Sequence, residues 1–454
     1  MTEDEYRLAK EAHVSNCTGG SIAEINILCG SLVSSHLLWC SLVKAGYIKP
    51  ASYFAEFAIY VLPALFCTTL ASEYVNWVTF GLALMGFLIP TKTQQVHEKE
   101  NVQFKSYLTV YRAGTMILTC IAILAVDFQV FPRRFAKVET FGTSLMDVGV
   151  GSFVFSSGIV ASRAYIKRQR PTVLMAVFQA IRSAFPVLVL GFARLFLTKS
   201  VNYQEHNSEY GLHWNFFFTL GFLPPFVTLL GFLRRFLPFS ILAFLIAAGY
   251  QTALCLGLQT WILEAARVDL ITANKEGICS FLGYLSIFLF GLECGTIVFQ
   301  DAISASKLSR ILNISQQPII KQTALQLYVY SGALWVLFYG WIYLSPDYYV
   351  SRRMANLPYI FWVVAFNVTL LASIVFIESY RGVGNRGPAL LDSININGLV
   401  VFLVANVLTG AVNLSMQTLY MTDNAAMMVN LVYISIVTAV AWHLWRSFSL
   451  RIKL

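Results

Sequence analysis

The sequence predicts an all-α integral membrane protein, a single polytopic bundle of about 13 transmembrane helices over residues 1–454. Three observations carry this prediction. Of the 454 residues, 57% are hydrophobic and only 12% are charged. A soluble globular domain carries about 25% charged residues, so too little polar surface remains to cover a water-soluble body of this size. The mean hydropathy is +0.65, and the apolar residues fall in runs of about 20, the length that crosses a bilayer. Aromatic residues make up 15% of the chain, led by 35 Phe and 22 Tyr, which suits lipid-facing helices with interfacial belts.

Taken in order, residues 1–21 are polar and begin with acids, unlike a cleavable signal peptide. The first span therefore serves as the insertion signal. Candidate spans follow at 22–43, 53–71, 75–90, 107–126, 143–162, 173–197, 211–231, 236–263, 279–299, 323–344, 357–378, 396–416 and 425–445. The third is short for a crossing. The chain shows no internal repeat and no low-complexity linker. Seven of its eight cysteines, Cys29, Cys40, Cys67, Cys120, Cys255, Cys279 and Cys294, lie in or beside apolar runs with no CxxC or Cys/His spacing. They read as small buried hydrophobes, and no metal site or disulfide framework is expected.

An odd number of spans puts the termini on opposite sides. The basic tail, Arg446, Arg451 and Lys453, places the C-terminus in the cytosol. Alternating back, the cytosolic segments hold 19 of the 32 Lys and Arg, with Lys44/Lys49, Lys92/Lys99/Lys105, Arg163/Lys167/Arg168/Arg170, Arg234/Arg235, Lys307/Arg310/Lys321 and Arg381/Arg386 joining the tail. The translocated side holds 10, and Arg112, Arg182 and Arg194 lie inside spans. The net charge of +9 is thus a matter of orientation, and without a basic soluble module nucleic acid is not an expected partner. Five of the ten translocated bases sit in FPRRFAK (131–137) and SRRMAN (351–356). They oppose the topological preference, so a local function is expected to retain them.

The densest chemistry lies at 125–158. Asp127 follows a span at the membrane edge, Pro132 breaks any helix, and Arg133, Arg134, Lys137 and Glu139 crowd before the next span. Phe128, Val130, Phe131 and Phe135 interleave with them, the pattern of a loop folded into a half-buried vestibule. There Asp127 and Lys137 could pair. Such a carboxylate acts as a general base toward a hydroxyl while an ammonium stabilises an oxyanion; a structural ion pair reads the same way. Residues 203–221 carry Glu205, His206, Glu209, His213 and Asn215, at spacings that match no zincin motif. His213, at the mouth of a span, reads as a hydroxyl-orienting base or as a satisfied interfacial histidine. Asn274, Lys275 and Glu276 form a polar knot beside a span start, a helix cap on the plainer reading. Arg352 and Arg353 suit phosphate or lipid headgroups. Glu24, Glu56, Arg112, Asp147, Arg182, Arg194 and Glu293 are ionisable within spans. Each is costly unless it faces the interior or a wet cavity, so a polar cavity within the bundle is expected.

Six ordered stretches resemble the inositol acyltransferases of glycosylphosphatidylinositol-anchor biosynthesis, the PIG-W family and its fungal members. They are 11–26, 121–157, 203–220, 273–284, 351–359 and 397–413. The resemblance runs nearly end to end and implies an endoplasmic reticulum enzyme with its N-terminus lumenal and its C-terminus cytosolic. Such an enzyme moves a long acyl chain, usually palmitoyl, from acyl-CoA as co-substrate to the inositol 2-hydroxyl of glucosaminyl-phosphatidylinositol, in contact with membrane lipid and with no other cofactor. It carries the catalytic pair onto Asp127 and Lys137. The candidate substrate-binding residues are Arg133, Arg134, His213, Asn215, Asn274, Arg352 and Arg353. One puzzle follows: CoA is cytosolic, so the thioester must reach a lumenal pair through the bundle, or the pair must lie deep in it.

Two other classes compete. Intramembrane charges suit a lipid or small-molecule transporter, although inverted repeats and paired broken spans are not evident in the sequence. A membrane scaffold would not need ionisable residues at mid-membrane.

Overall fold

The computed structural model describes residues 3–90, 105–166, 172–200, 207–299, 317–384 and 387–452. Glu205 and His206 lie outside the described residues, as do the loop bases Lys92, Lys99, Lys167, Arg168, Arg170, Lys307, Arg310, Arg386 and Lys453. Among the described residues the architecture is all-α, with one isolated bridge between Gly19 and Thr143.

A polar helix α1 (Glu3–Val14) lies ahead of the first span, α2 (Ile22–Ala45). Ser21 starts α2, its Oγ accepting from the Ala23 amide at 3.2 Å. Gly46 ends it at φ 81°, a left-handed stop that a Cβ would strain. Next come α3 (Tyr53–Thr68) and α4 (Ser72–Leu88), two apolar arms bent by 108° at a short break. Then follow α5 (Ser106–Ala125), α6 (Leu145–Ile166), α7 (Val173–Ser200), α8 (Phe216–Gly231) and α9 (Phe239–Glu264). The chain continues with α10 (Lys275–Val298), α11 (Ile319–Leu344), α12 (Leu357–Arg381), the short α13 (Ala389–Ile396), α14 (Gly398–Ser415) and α15 (Asp423–Ser447). Eleven of these are long and apolar enough to cross a membrane, in addition to the bent pair.

The bent pair occupies the second and third expected spans. Thr79 Oγ1 donates to the Ile27 carbonyl at 3.2 Å and Ser41 Oγ to the Gly86 carbonyl at 2.7 Å. These bonds lay α4 alongside α2 in the same direction over most of its length. The bend therefore sits at the level where α2 begins. The expected count of about 13 is reached when each arm is taken as a crossing.

Cross-loop contacts sort the loops into two sets. At one end the N-terminal segment, the bend, the 127–144 loop, residues 207–215, 265–276 and 345–356, and the end of α14 touch one another. At the other end Arg381 donates to the carbonyls of Gly86 and Ile89. There too Glu56 accepts the Leu390 amide, and Asn397 donates to the Leu450 carbonyl. Alternate loops thus share an end, as the charge alternation in the sequence expects.

Helix α12 is the axis of the bundle, with 83% of its apolar window buried, whereas α7 is peripheral at 6%. Helices α6 and α10 approach closely because Gly158 faces the Phe288 carbonyl and Gly291 faces that of Phe155. Small residues at such a crossing let backbones meet where lipid supplies no hydrophobic drive.

Candidate active site at one end of the bundle

The 127–144 loop is folded in, as its aromatic spacing predicts. Phe128, Phe131 and Phe135 are at most 1% exposed, and Pro132 leads into a single helical turn at Arg133–Phe135. Backbone bonds fasten the loop on two sides. The Gly20 amide donates to the Thr143 carbonyl at 2.8 Å, and the Gly142 amide to that of Val350 at 2.8 Å. Burying the aromatics draws the charged side chains between them into contact with other loops.

Several ionic clusters gather at this end of the bundle, some of them built on this loop. In the first, Asp127 meets Lys10 Nζ at 3.2 Å and accepts from Asn413 Nδ2 at 2.8 Å, while Lys10 donates to Asn413 Oδ1 at 2.8 Å. His13 adjoins this cluster. Burial first, and then the charge of Arg133, hold its imidazole below the ordinary range, so it is neutral near pH 7.

In the second cluster, Lys137 donates to both Glu209 oxygens at 2.9 Å. Arg352 joins Glu209 through Nη1 at 2.9 Å and Asp147 through Nε at 2.7 Å. Asp147 also accepts from Ser144 Oγ at 2.7 Å and from the Val138 amide at 3.1 Å. Burial alone would raise the Glu209 carboxyl, but Lys137 and then Arg352 outweigh it and hold it at about 2. Glu209 and Asp147 together hold Arg352 firmly charged against its own burial. The third cluster sets Glu276 between Arg267 Nη2 at 2.6 Å and Arg353 Nη2 at 3.0 Å.

The expected pairing of Asp127 with Lys137 is not formed. Each has its own partner, Lys10 and Glu209 respectively, because the buried aromatics anchor the loop while opposite charges arrive from other loops. Both side chains lie at the same end of the bundle, with the Lys137 side chain 42% exposed.

The arginines expected to hold phosphate divide. Arg352 and Arg134 are committed to carboxylates, Arg134 to Glu24 at 2.8 Å and Glu73 at 2.7 Å. Arg133 donates through Nη2 to the Ser15 carbonyl at 2.8 Å and to Cys17 Sγ, while its buried Nη1 has no acceptor among the described residues. Among the described residues the buried Nε of Arg353 likewise has no acceptor.

Asn215 and Asn274 are occupied in shaping the backbone. Asn215 caps α8 by accepting from the Phe217 and Phe218 amides and donates to the Gly191 carbonyl. Asn274 Oδ1 accepts from the His213 and Trp214 amides, and its Nδ2 donates to the Leu270 carbonyl. His213 is thereby fixed at the mouth of α8 through its backbone.

Lys10, His13 and Asn413 escaped the sequence reading of the site. All three fall on the same expected side as Asp127, and His13 and Asn413 lie in the stretches 11–26 and 397–413 that carry the resemblance.

A family model described as GWT1 matches residues 6–444. The chain is 40% identical to GPI-anchored wall transfer protein 1 of Aspergillus oryzae, over 98% of this chain and 99% of that protein. It is 38% identical to the protein of that name in Yarrowia lipolytica, over 99% of each. The Saccharomyces cerevisiae protein of the same name is 37% identical, over 96% of this chain and 97% of its own.

Proposed function

Since the chain belongs to the GWT1 family, we propose that it works in glycosylphosphatidylinositol-anchor biosynthesis, transferring a long-chain acyl group, palmitoyl, from acyl-CoA to the inositol 2-hydroxyl of glucosaminyl-phosphatidylinositol. The supporting observation is the gathering of Asp127 and Lys137, each with its own oriented partner, at one end of a membrane bundle.

In this reading Asp127, aligned by Lys10 and Asn413, takes the proton of the inositol hydroxyl. The oxygen forms a bond to the thioester carbonyl carbon. Lys137 stabilises the negative charge that develops on the carbonyl oxygen. The C–S bond then breaks, and the CoA thiolate leaves and takes up a proton. The two side chains act from two sides of the reacting centre rather than as one ion pair. Arg133, with its spare donor, is the phosphate contact the geometry favours, and the buried Arg352 is a positioning residue. The clustered end faces the lumen of the endoplasmic reticulum, with the N-terminus lumenal and the C-terminus cytosolic.

Labelled palmitoyl-CoA and glucosaminyl-phosphatidylinositol, given to microsomes containing the chain, should yield an inositol-acylated product. Asp127→Asn should lower kcat by about 10²–10⁴-fold, the usual contribution of a general base, at unchanged protein level. Near-normal turnover in that variant would make Asp127 a structural acid and refute the mechanism. Glycosylation of an acceptor site inserted in the 163–170 loop, but not in the 127–142 loop, would reverse the orientation.

A further inference from the structure

Arg182 stands on the outer face of α7, the most peripheral helix of the bundle. Helix α7 turns Ala180, Ala184 and Gly191, all buried, toward α8. There Gly221 packs against Leu188, and Asn215 donates to the Gly191 carbonyl at 2.9 Å. Arg182 lies two residues from each alanine, so it points the opposite way, out of the bundle, and it is exposed. Among the described residues its guanidinium has no carboxylate, carbonyl or aromatic partner, and the exposed Gln179 amide, one turn before it, has none either. Pro186, four residues on, has no N–H to give to the Arg182 carbonyl.

The depth of Arg182 is fixed from both sides. Nine residues separate it from Val173, where α7 begins, and nine from Gly191, about 14 Å each way at 1.5 Å per residue. Gly191 is level with the start of α8, whose apolar stretch Phe216–Arg235 runs 20 residues, about the 30 Å of a hydrocarbon core. Arg182 is therefore at mid-membrane on the lipid side, ringed by the exposed Met175, Phe178, Phe185 and Val189. An arginine near a helix end snorkels to the interface, but here each interface is a half-thickness away. Lipid offers no acceptor at that depth. Unlike Asp147 and Glu56, which are buried, Arg182 faces neither the interior nor a partner.

We infer that this face of α7 docks a transmembrane helix of another protein, and that this helix carries an Asp or Glu carboxylate at mid-membrane. The carboxylate pairs with the guanidinium, and a hydroxyl or amide beside it meets Gln179 and the Arg182 carbonyl. A second copy of this chain does not fit. Among the described residues no carboxylate within a span is exposed away from the end of that span. Two copies meeting through α7 on a twofold axis would set Arg182 against Arg182.

The test uses the full-length chain, labelled and reconstituted in phosphatidylcholine vesicles with a labelled leucine-rich transmembrane peptide bearing one central Glu, and reads the energy transfer between them. A charge-assisted contact should make the Glu peptide associate at least about tenfold more tightly than its all-leucine counterpart. Arg182→Leu, which suits a lipid-facing helix, should bring the two peptides level, and Arg182→Lys should keep part of the preference. Monodispersity in size-exclusion chromatography shows that Arg182→Leu is folded, and Arg182→Gln takes its place if it is not. Equal association of the two peptides with the unaltered chain, or a Glu preference that survives the loss of the guanidinium, overturns the inference. Loss of the preference when phosphatidylglycerol replaces part of the lipid assigns Arg182 to a lipid phosphate. Energy transfer between copies of the chain that Arg182→Leu abolishes assigns the face to a second copy. Either of these results overturns the inference as well.

Discussion

Arg352 was expected from sequence to be a phosphate ligand, and its surroundings give it another role. Its side chain is 5% exposed and Asp147 is fully buried. Replacing Arg352 by Gln leaves an ionised carboxylate in the interior with two remaining donors, Ser144 Oγ and the Val138 amide. Removing one member of a buried pair costs about 3–5 kcal/mol. The two surviving donors place the expected loss near the lower bound, about 3 kcal/mol, or roughly a hundredfold in the folded-to-unfolded ratio. The Arg352→Gln/Asp147→Asn double variant removes the stranded charge and should regain most of that loss, so the two single effects must be strongly non-additive. The assay is thermal inactivation of the detergent-solubilised chain, followed as loss of the monomer peak in size-exclusion chromatography. If Arg352→Gln melts with the parent and shows only a raised glycolipid KM, the residue is a substrate ligand and the buried-network argument is wrong.

Other expectations follow from the same geometry. Glu209 has its carboxyl held at about 2 against an ordinary 4.5, worth about 3 kcal/mol at roughly 1.4 kcal/mol per unit. That stability is fully present above the ordinary value and is lost as pH falls from 4.5 toward 2. A Glu209→Gln chain should therefore melt lower than the parent at pH 7 and converge with it in strong acid, and a constant gap across that range would contradict the assignment. Lys10→Met should leave Asp127 on Asn413 alone and lower kcat about tenfold with both KM values held, and Lys10→Arg should restore part of it. A charged side chain hydrogen bond typically supplies such a factor. An unaltered kcat in Lys10→Met would remove Lys10 from the mechanism. Gly291→Val places branched carbons against the Phe155 carbonyl of α6. It should abolish recovery of folded protein, as judged by monodispersity, whereas the same change at Gly332, which has open space, should not.

The helices were legible because each run of apolar residues carries its own length signal, and because basic residues alternate from loop to loop. The bend between α3 and α4 was not, since nothing in 69–71 marks whether two apolar runs continue in line or fold back. The folded-in loop could be read from Phe128, Phe131 and Phe135 alternating with charges. The partners could not. Asp127 and Lys137 are ten residues apart and suggest one another, yet their ions come from positions 10 and 209. Sequence proximity favours local pairs, whereas helix packing decides which distant loop brings the nearer charge. Likewise Arg352 and Arg353 look alike in sequence. Only burial shows that the first is enclosed between two acids while the second keeps an open donor.

The Lys10–Asn413 hydrogen bond closes a separation of 403 residues, and that distance sets a timetable. At roughly 5–20 residues per second of synthesis, Asn413 emerges some 20–80 s after Lys10. For most of that interval Asp127 has only one of its two partners. A nascent chain therefore holds Asp127, Lys137 and Arg133 well before Asn413 can close on Asp127. The last turns of α14 act as the closing clasp. A polypeptide released before position 413 lacks this clasp on Asp127, and on the proposed mechanism it should transfer no acyl group.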